Sequence, residues 1–264
     1  FKYFSLNRYL GFTALIICCI PVCIGFFIPI TTIILWSIKS INNIDLYNFI
    51  QLFISSFSLA LLAAFICILF AILIIYGVRT NSKIAAPFAR IASLGYSIPG
   101  AVAAVAVLIP LAWIDNIISN FALQYFNISI GLLLTGSWFA LLFAYLVRFL
   151  ALSMHSVENS FIKIPISFDY AAKVLGKSNS SILSNIHARI GLGGISLGLL
   201  IVFVDVLKEL PATMILRPFG LSTLAIKAHE FAIDERLGDA AIPLLAIVVV
   251  CLLPLFILAR GIRH

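Results

Sequence analysis

Six apolar segments, each close to the length that crosses a lipid bilayer, constrain this chain more than any other feature of its sequence. A transmembrane helix needs about 20 apolar residues. The sequence contains such runs near residues 10–37, 52–76, 84–113, 130–152, 190–207 and 242–259. Pro99 and Gly100 interrupt the third run and can divide it into two pieces. The pattern predicts an all-α membrane protein, in which a bundle of six transmembrane helices forms a single domain over residues 1–264.

Composition excludes a water-soluble domain. Of the 264 residues, 63% are hydrophobic and only 10% are charged, which is too little charge to cover a solvated surface. The run that starts at Leu10 is too long for the apolar core of a cleavable signal peptide, so we expect it to remain as a helix. The cysteines all fall in apolar runs, where we interpret them as small hydrophobic residues: Cys18, Cys19, Cys23, Cys67 and Cys251.

Basic residues fall mostly on one side of the predicted bundle, and membrane proteins keep an excess of Lys and Arg in their cytoplasmic loops. That side carries Lys2, Arg8, Arg79, Lys83, Arg90, Arg148, Lys163, Lys173, Lys177, Arg189, Arg260 and Arg263. The other side carries Lys39, Lys208, Arg217, Lys227 and Arg236 among seven acids. The bias predicts that both termini and the loop at residues 153–189 are cytoplasmic, and that residues 114–129 form an outer loop.

The predicted cytoplasmic loop contains a short amphipathic stretch, Phe168–Gly176, with the sequence FDYAAKVLG. Asp169 is a residue type that caps helix N-termini, alanine favours helix, and Gly176 is a residue type that ends one. The polar run at residues 177–185 can form a second short helix. Tyr170, Val174 and Leu175 would share an apolar face suited to the groove of a partner, although a linker lying on the membrane surface would show the same pattern.

The spacing of this stretch resembles the EAA loop of binding-protein-dependent ABC importer permeases, in which EAA precedes three residues, Gly, nine residues and I-x-L-P. Here Tyr170-Ala171-Ala172 precedes three residues, Gly176, nine residues and Ile186-His187-Ala188-Arg189. Tyr170 stands where Glu is usual, and Ala188-Arg189 stand where Leu-Pro is usual. In that family the loop is a coupling helix seated in the ATPase. The resemblance implies this role for Asp169, Tyr170, Ala171, Ala172, Leu175 and Gly176.

A longer resemblance begins at Val202. The string VFVDVLKELPATMILRPFG, residues 202–220, is similar to D-V-x-K-E-L-P-A-T-x-x-L-R-P-F-G of ferric-iron importer permeases, and residues 232–243 continue the match. Such permeases usually carry two six-helix halves in one chain, so this sequence, which starts at Phe1, resembles the C-terminal half, as a natural half-size protein or as a fragment. The resemblance implies the MetI-like core fold, with the segment after the fifth helix facing a binding protein outside the membrane.

Ionisable residues cluster at the end of the fifth predicted helix. Asp205 and Glu209 are four residues apart, which places them on one helix face, and Pro211 is expected to end that helix. These acids either line the outer path of a cationic load or are paired structurally with Lys208; with Arg217, they are our candidates for the translocation path or the binding-protein contact. The later acids either meet that partner or are simply solvated: Glu230, Asp234, Glu235 and Asp239.

No catalytic or cofactor-binding pattern is present in the sequence. His155, His187, His229 and His264 share no ligand spacing, and no Walker A sequence occurs. We therefore expect a transport subunit that is not an enzyme and that binds no metal or cofactor itself, with ATP bound by its partner.

The function implied by the resemblance is import of a load, ferric iron, by alternating access across a bacterial inner membrane. The implied partners are two ATPase subunits, a second permease half, a periplasmic ferric-iron-binding protein and the lipid bilayer, with no nucleic acid. Permeases for thiamine, phosphonates or polyamines are alternatives, as is a degenerate non-transporting half-subunit or scaffold, since Tyr170 and Arg189 depart from the family pattern. A gradient-driven transporter is disfavoured, because we expect no ionisable side chain at mid-span.

Overall fold

The computed structural model describes the chain from residue 7 to residue 261, with side chains described except at 43, 253, 255 and 257–261. Phe1, Lys2, Arg263 and His264, together with the side chain of Arg260, lie outside the described part. Within that part the chain is almost entirely helical. The structure therefore confirms the all-α prediction.

Eleven helices follow one another along the described residues. They are α1 (Arg8–Ser40), α2 (Leu46–Arg79), α3 (Ala85–Ser93), α4 (Gly100–Phe126), α5 (Trp138–Phe161), α6 (Ile166–Val174), α7 (Asn179–Ile190), α8 (Leu192–Leu207), α9 (Pro211–Leu216), α10 (Leu224–Ile233) and α11 (Leu237–Gly261). Single turns of 3₁₀ helix at Ile41–Asn43 and Leu94–Ser97 precede α2 and α4.

Several of these helices can cross a membrane. By length and apolar composition α1, α2, α4 and α5 qualify alone, and α7 with α8 qualifies as one span bent by 76°. The last helix, α11, is 25 residues long and also apolar. The chain is thus a multi-pass membrane protein.

Two predicted boundaries in the middle of the chain are wrong. The third apolar run divides between Ser93 and Gly100, as the interruption at Pro99 and Gly100 allowed, but α4 does not end near residue 113 and continues to Phe126 through most of the predicted outer loop at 114–129. Asn127, in a left-handed conformation (φ 54°), ends it. The fourth span is also displaced, since α5 begins at Trp138 and continues to Phe161, inside the predicted cytoplasmic loop.

The centre of the bundle is formed by α2, α5 and α8, which pack against one another. One face of α2 buries small residues at helical spacing, namely Ala60, Ala63, Ala64, Cys67 and Ala71. Small side chains let helix backbones approach closely, and this is how helices associate in lipid, where apolar burial alone provides little driving force. Larger buried residues of α5, such as Tyr145 and Phe149, fill the opposing side.

The break before α4 rests directly on α5. A Cβ atom at Gly95 would collide with the backbone carbonyl of Val147, and one at Gly100 would collide with the side chains of Arg148 and Glu209. Because neither position has room for a side chain, glycine at both lets the irregular segment lie against the middle of α5.

Candidate functional site

The candidate site is the connection between α5 and α8, and its central element is α6. This helix begins after Pro165 and ends in a Schellman motif: the Gly176 amide donates to the Lys173 carbonyl at 2.9 Å and the Lys177 amide to the Ala172 carbonyl at 3.0 Å. Gly176 has φ 73°, a left-handed conformation that glycine adopts without strain. The sequence placed both the helix and its terminating glycine correctly.

The side chains of α6 divide between a buried pair and an exposed apolar surface. Asp169 and Ala172 are buried, whereas Tyr170, Val174 and Leu175 are 59%, 88% and 77% exposed. Exposed apolar side chains of this size, beyond the end of the long helices, are a feature typical of a surface that meets a partner. We call Tyr170, Val174 and Leu175 the apolar knob of α6.

The predicted role of Asp169 as a helix N-cap is wrong. The cap position is occupied by Pro165, and Asp169 lies a full turn into the helix, where its carboxylate points inward rather than to the N-terminal amides. Oδ2 accepts a hydrogen bond of 2.8 Å from Nε of Arg79, and Oδ1 lies 2.6 Å from Nε2 of His187. Asp169 thus fixes α6 to the rest of the bundle.

Arg79, the last residue of α2, uses every nitrogen of its guanidinium in this contact. Besides Asp169, it donates to the carbonyls of Phe161 through Nη1 at 2.7 Å and of Ile164 through Nη2 at 2.8 Å. Phe161 is the last residue of α5, where a cation also interacts favourably with the helix dipole. One arginine therefore joins the ends of α2, α5 and α6.

His187 completes the cluster from α7. Its ring is fully buried between the rings of Tyr76 and Phe161, with centroids at 5.4 and 5.1 Å. We call Arg79, Asp169 and His187 the loop-end cluster. Sequence reasoning missed Arg79 and His187, which it counted only as a loop charge and as a scattered histidine, because they lie about 90 and 18 residues from Asp169.

The ionisation of Asp169 follows from this geometry. Burial raises the pKa of the carboxyl, but hydrogen bonds and charge from Arg79 and His187 outweigh burial, so the pKa of Asp169 lies below its ordinary value. Asp169 is therefore a carboxylate at neutral pH. Its charge is matched by Arg79 in a site that excludes most water.

A second polar cluster lies further along the bundle. Arg148, which is in the middle of α5, forms an ion pair with Glu209, whose side chain is only 8% exposed. The expectation that no ionisable side chain lies at mid-span is therefore wrong, and it no longer argues against a gradient-driven transporter. Arg148 also does not lie with the loop residues, where the charge-based prediction had put it. We call Arg148 and Glu209 the mid-bundle pair.

The predicted common face of Asp205 and Glu209 is wrong, because α8 ends at Leu207, before Glu209. Pro211 does not end that helix; it is the first residue of the short helix α9. Asp205 instead pairs with Lys208 at 2.6 Å. Since each acid already has a basic partner, the geometry favours the structural alternative over free carboxylates facing a load.

At the end of the bundle opposite to the loop-end cluster, a cavity of about 1130 Å³ opens beside the start of α2. Arg217 and Lys227, which line it, pair with Glu230 at 3.4 and 3.2 Å. Phe219 projects fully exposed from the turn that Gly220 (φ 81°) makes. Arg217 and Glu230 therefore lie together at this cavity, whereas the side chains of Asp234 and Glu235 are exposed.

Asp115, expected in an outer loop, is a buried residue of α4. Its carboxylate accepts hydrogen bonds from the amides of Leu133, Leu134 and Thr135 and from the Thr135 hydroxyl, at 2.6–3.2 Å. It thereby ties the segment that precedes α5 to α4, and it is not available to a partner.

Comparison with known proteins finds likeness both in sequence and in structure. No family model matches the chain. The Fe(3+)-transport system permease protein FbpB 2 of Haemophilus influenzae is 24% identical over 237 residues, which cover 88% of this chain and 44% of that protein. The chain thus spans less than half the length of this curated relative.

The structural likeness is broader. A bacterial ABC transporter involved in the import of the acidic polysaccharide alginate matches with a TM-score of 0.67 at 16% identity, over 97% of this chain and 96% of that chain. The inward-facing MetNI methionine ABC transporter matches with a TM-score of 0.55 at 16% identity, over 81% of this chain and 94% of that chain. The chain therefore has the fold of ABC importer permeases.

Proposed function

We propose that this chain is a permease subunit of an ABC importer and that an ATPase subunit docks on α6 from the cytoplasm. The observation that carries this proposal is the apolar knob, Tyr170, Val174 and Leu175, exposed on a short helix whose opposite side is fixed by Asp169. A helix that is exposed on one side and fixed on the other is suited to receive a partner and pass on its motion.

Tyr170 is the principal departure from the family pattern, and its exposure favours retained docking. Glutamate at this place would offer a charge, whereas the tyrosine ring is 59% exposed and adds apolar area beside Val174. Aromatic side chains are enriched where protein partners meet because they bury a large area. We therefore propose a coupling helix with a more apolar contact, rather than a degenerate half-subunit.

The proposed load is ferric iron, delivered by a soluble binding protein at the end opposite to α6. The string at residues 202–220 and the name of the Haemophilus influenzae relative support this load. Across residues 7–261, no three His, Cys, Asp or Glu side chains converge in a way that could hold a metal. We therefore assign recognition of iron to the binding protein, with a second permease half completing the pathway.

Docking is tested by co-purifying the cognate ATPase with the detergent-solubilised chain. Val174→Asp combined with Leu175→Asp replaces only exposed side chains, so the fold is expected to persist while ATPase binding is lost. The matched control is Ile84→Asp, which places the same charge on an apolar side chain that is 77% exposed at the start of α3. Unchanged ATPase recovery with the double variant would contradict docking on α6.

The load is tested by uptake into proteoliposomes that contain both permease halves, the ATPase and the binding protein. We expect ATP-dependent accumulation of ferric iron supplied on the binding protein, with no accumulation of thiamine, a phosphonate or a polyamine. ATP-dependent uptake of one of those three solutes in place of iron would overturn the assignment of the load and leave the importer proposal standing.

A further inference from the structure

The side chains of the loop-end cluster lie largely buried beneath α6, so the docking surface does not include them. Asp169 and Ala172 are the two buried residues of this helix, and Ala172 has only a methyl group to anchor it. The attachment of α6 to the bundle therefore depends on the carboxylate of Asp169. Asp169 accepts from Arg79 and contacts His187, and Arg79 also holds the Ile164 carbonyl just before α6.

We infer that Arg79, Asp169 and His187 form a joint that transmits displacement of α6 to three long helices at once. This inference rests on the proposed docking of an ATPase on α6 and adds the residues that would carry the motion inward. The three are positioning residues: none of them is exposed to the partner or to the load.

Arg79 couples α6 to two spanning helices through one rigid planar group. Its Nε binds Asp169, while Nη1 and Nη2 bind the carbonyls of Phe161 and Ile164, at the end of α5 and in the linker that leads to α6. A guanidinium fixes the relative directions of its donors, which an ammonium group does not. A shift of Asp169 therefore displaces the ends of α2 and α5 together.

His187 extends the joint to the third helix. It contacts Asp169 from α7, which leads through the 76° bend into α8. The start of α7 is tied to the same place, because the Tyr76 hydroxyl donates to the Asn179 carbonyl at 2.8 Å. Since α2, α5 and α8 form the centre of the bundle, movement of this joint reaches the core packing directly.

The structure of α6 itself does not depend on the joint. Its C-terminus is closed by the local hydrogen bonds of Gly176 and Lys177, and its apolar knob faces away from Asp169. Loss of the Asp169 carboxylate should therefore leave a helix that still binds a partner but no longer moves the bundle. This separation of docking from coupling distinguishes a joint from a residue that only stabilises the fold.

The first experiment needs no ATPase. Spin labels are placed at Val174 and Lys83, both exposed, in a variant with the native cysteines replaced, and the distance between them is measured by double electron–electron resonance. We expect a narrow distribution in the parent and a clearly broader one in Asp169→Ala. An unchanged distribution would overturn the joint whether or not an ATPase docks on α6.

The second experiment uses the reconstituted transporter. With Asp169→Ala we expect parental recovery of the ATPase, with loss of the stimulation by ferric-loaded binding protein and loss of uptake. Glu158→Ala, which removes an exposed carboxylate at the same end of the bundle, is the matched control and should keep both. Retained stimulation, or loss of ATPase recovery together with stimulation, would each contradict the joint.

Milder variants keep the inference testable if Asp169→Ala does not fold. Asp169→Asn retains the size and one acceptor oxygen, and Arg79→Lys retains the charge but cannot make the three directed bonds. We expect partial loss of stimulation in both, with the ATPase still bound. Parental stimulation in Arg79→Lys would show that charge alone suffices and would overturn the rigid joint.

Discussion

Arg79 and Arg148 each bind a buried carboxylate, but their guanidinium groups differ in how many nitrogens have a hydrogen-bond partner. Arg79 in the loop-end cluster uses Nε, Nη1 and Nη2, each at 2.7–2.8 Å from its acceptor. Arg148 in the mid-bundle pair binds Glu209, but its Nε has no hydrogen-bond partner within the described residues 7–261. An arginine whose nitrogens all donate hydrogen bonds is held in one side-chain position. An arginine with an unpaired buried nitrogen is held less firmly.

The difference indicates that the contacts of Arg79 are fixed and that those of Arg148 can exchange, although Nδ1 of His187 is also buried without a hydrogen-bond partner in the described residues. The loop-end cluster joins helix ends and is expected to persist through a transport cycle as a unit. The mid-bundle pair lies where the irregular segment before α4 meets α5 and the turn between α8 and α9, so we expect rearrangement to occur there. Variants that break either cluster, or its surroundings, test this difference.

The largest effect is expected from Gly95→Ala, beside the mid-bundle pair. The new methyl group would meet the carbonyl oxygen of Val147, and because that atom belongs to the backbone of α5 it cannot turn aside. Overpacking costs about 1–3 kcal/mol and occasionally more, and a contact with a backbone atom that cannot move lies at the upper end of that range. We expect loss of monodisperse protein in detergent size-exclusion chromatography. Gly25→Ala, with no atom within 4 Å of the added methyl group, should behave like the parent.

The mid-bundle pair itself is tested by a double-mutant cycle. Arg148→Met or Glu209→Met alone leaves one buried partner without its counterpart and should lower unfolding stability by about 3 kcal/mol. Arg148→Met combined with Glu209→Met removes both charges and should recover much of the loss. Thermal unfolding in detergent provides the measurement. A double variant as unstable as the sum of the two single variants would show that the two side chains are not coupled.

The loop-end cluster should show a defined pH dependence. The pKa of Asp169 is lowered by Arg79 and His187 from its ordinary value of 3.8. The stabilisation is therefore complete above that value and is lost as pH falls below it through the pKa of the folded state. We expect Asp169→Asn to be about 2 kcal/mol less stable than the parent at neutral pH, and the difference to shrink as pH falls below the ordinary value of 3.8.

Thermal unfolding of both proteins across this pH range checks the prediction. The groups that face the carboxylate, Arg79, His187 and Tyr76, are kept in the variant. A stability difference that stayed constant as pH fell would mean that the charge of Asp169 does not stabilise the cluster.

The smallest effect is expected from Gly176→Ala, at the end of α6. A φ of 73° costs a residue with a Cβ about 1 kcal/mol, and the cost is confined to the Schellman motif. Hydrogen exchange should become faster in residues 173–177 while the rest of the bundle is unchanged. Gly131→Ala, which lacks both the left-handed conformation and any close neighbour, is the control. Faster exchange throughout α5 would show that α6 and the bundle unfold together.

The features of the fold and of the candidate site that could be predicted from the sequence are those set by residues close together in the chain. Apolar length identified the membrane helices, and local spacing located α6 and Gly176, because both signals act within a few turns of helix. Asp169 was assigned to a cap because local rules favour aspartate there, but tertiary contacts with Arg79 and His187 determined its position. A single sequence contains no signal for contacts that join residues so far apart.

The predicted ends of the membrane helices were wrong for a related reason. Hydropathy marks where a chain is apolar and not where its helices end, so α4 ran on past its apolar run to Phe126 and α5 to Phe161. Glu209 was placed on a helix face because its spacing from Asp205 fits one. The structure ends α8 at Leu207, and Glu209 instead meets Arg148 from a different helix.

The most direct test of the account is photo-cross-linking from Val174 in the assembled transporter. A photoreactive residue at Val174, which is 88% exposed on the apolar knob, should form a covalent adduct with the ATPase subunit, whereas the same residue at Ile84 should not. That pattern would establish α6 as the docking helix above the loop-end cluster. Absence of an adduct at Val174, in a complex that retains its ATPase, would contradict the central claim.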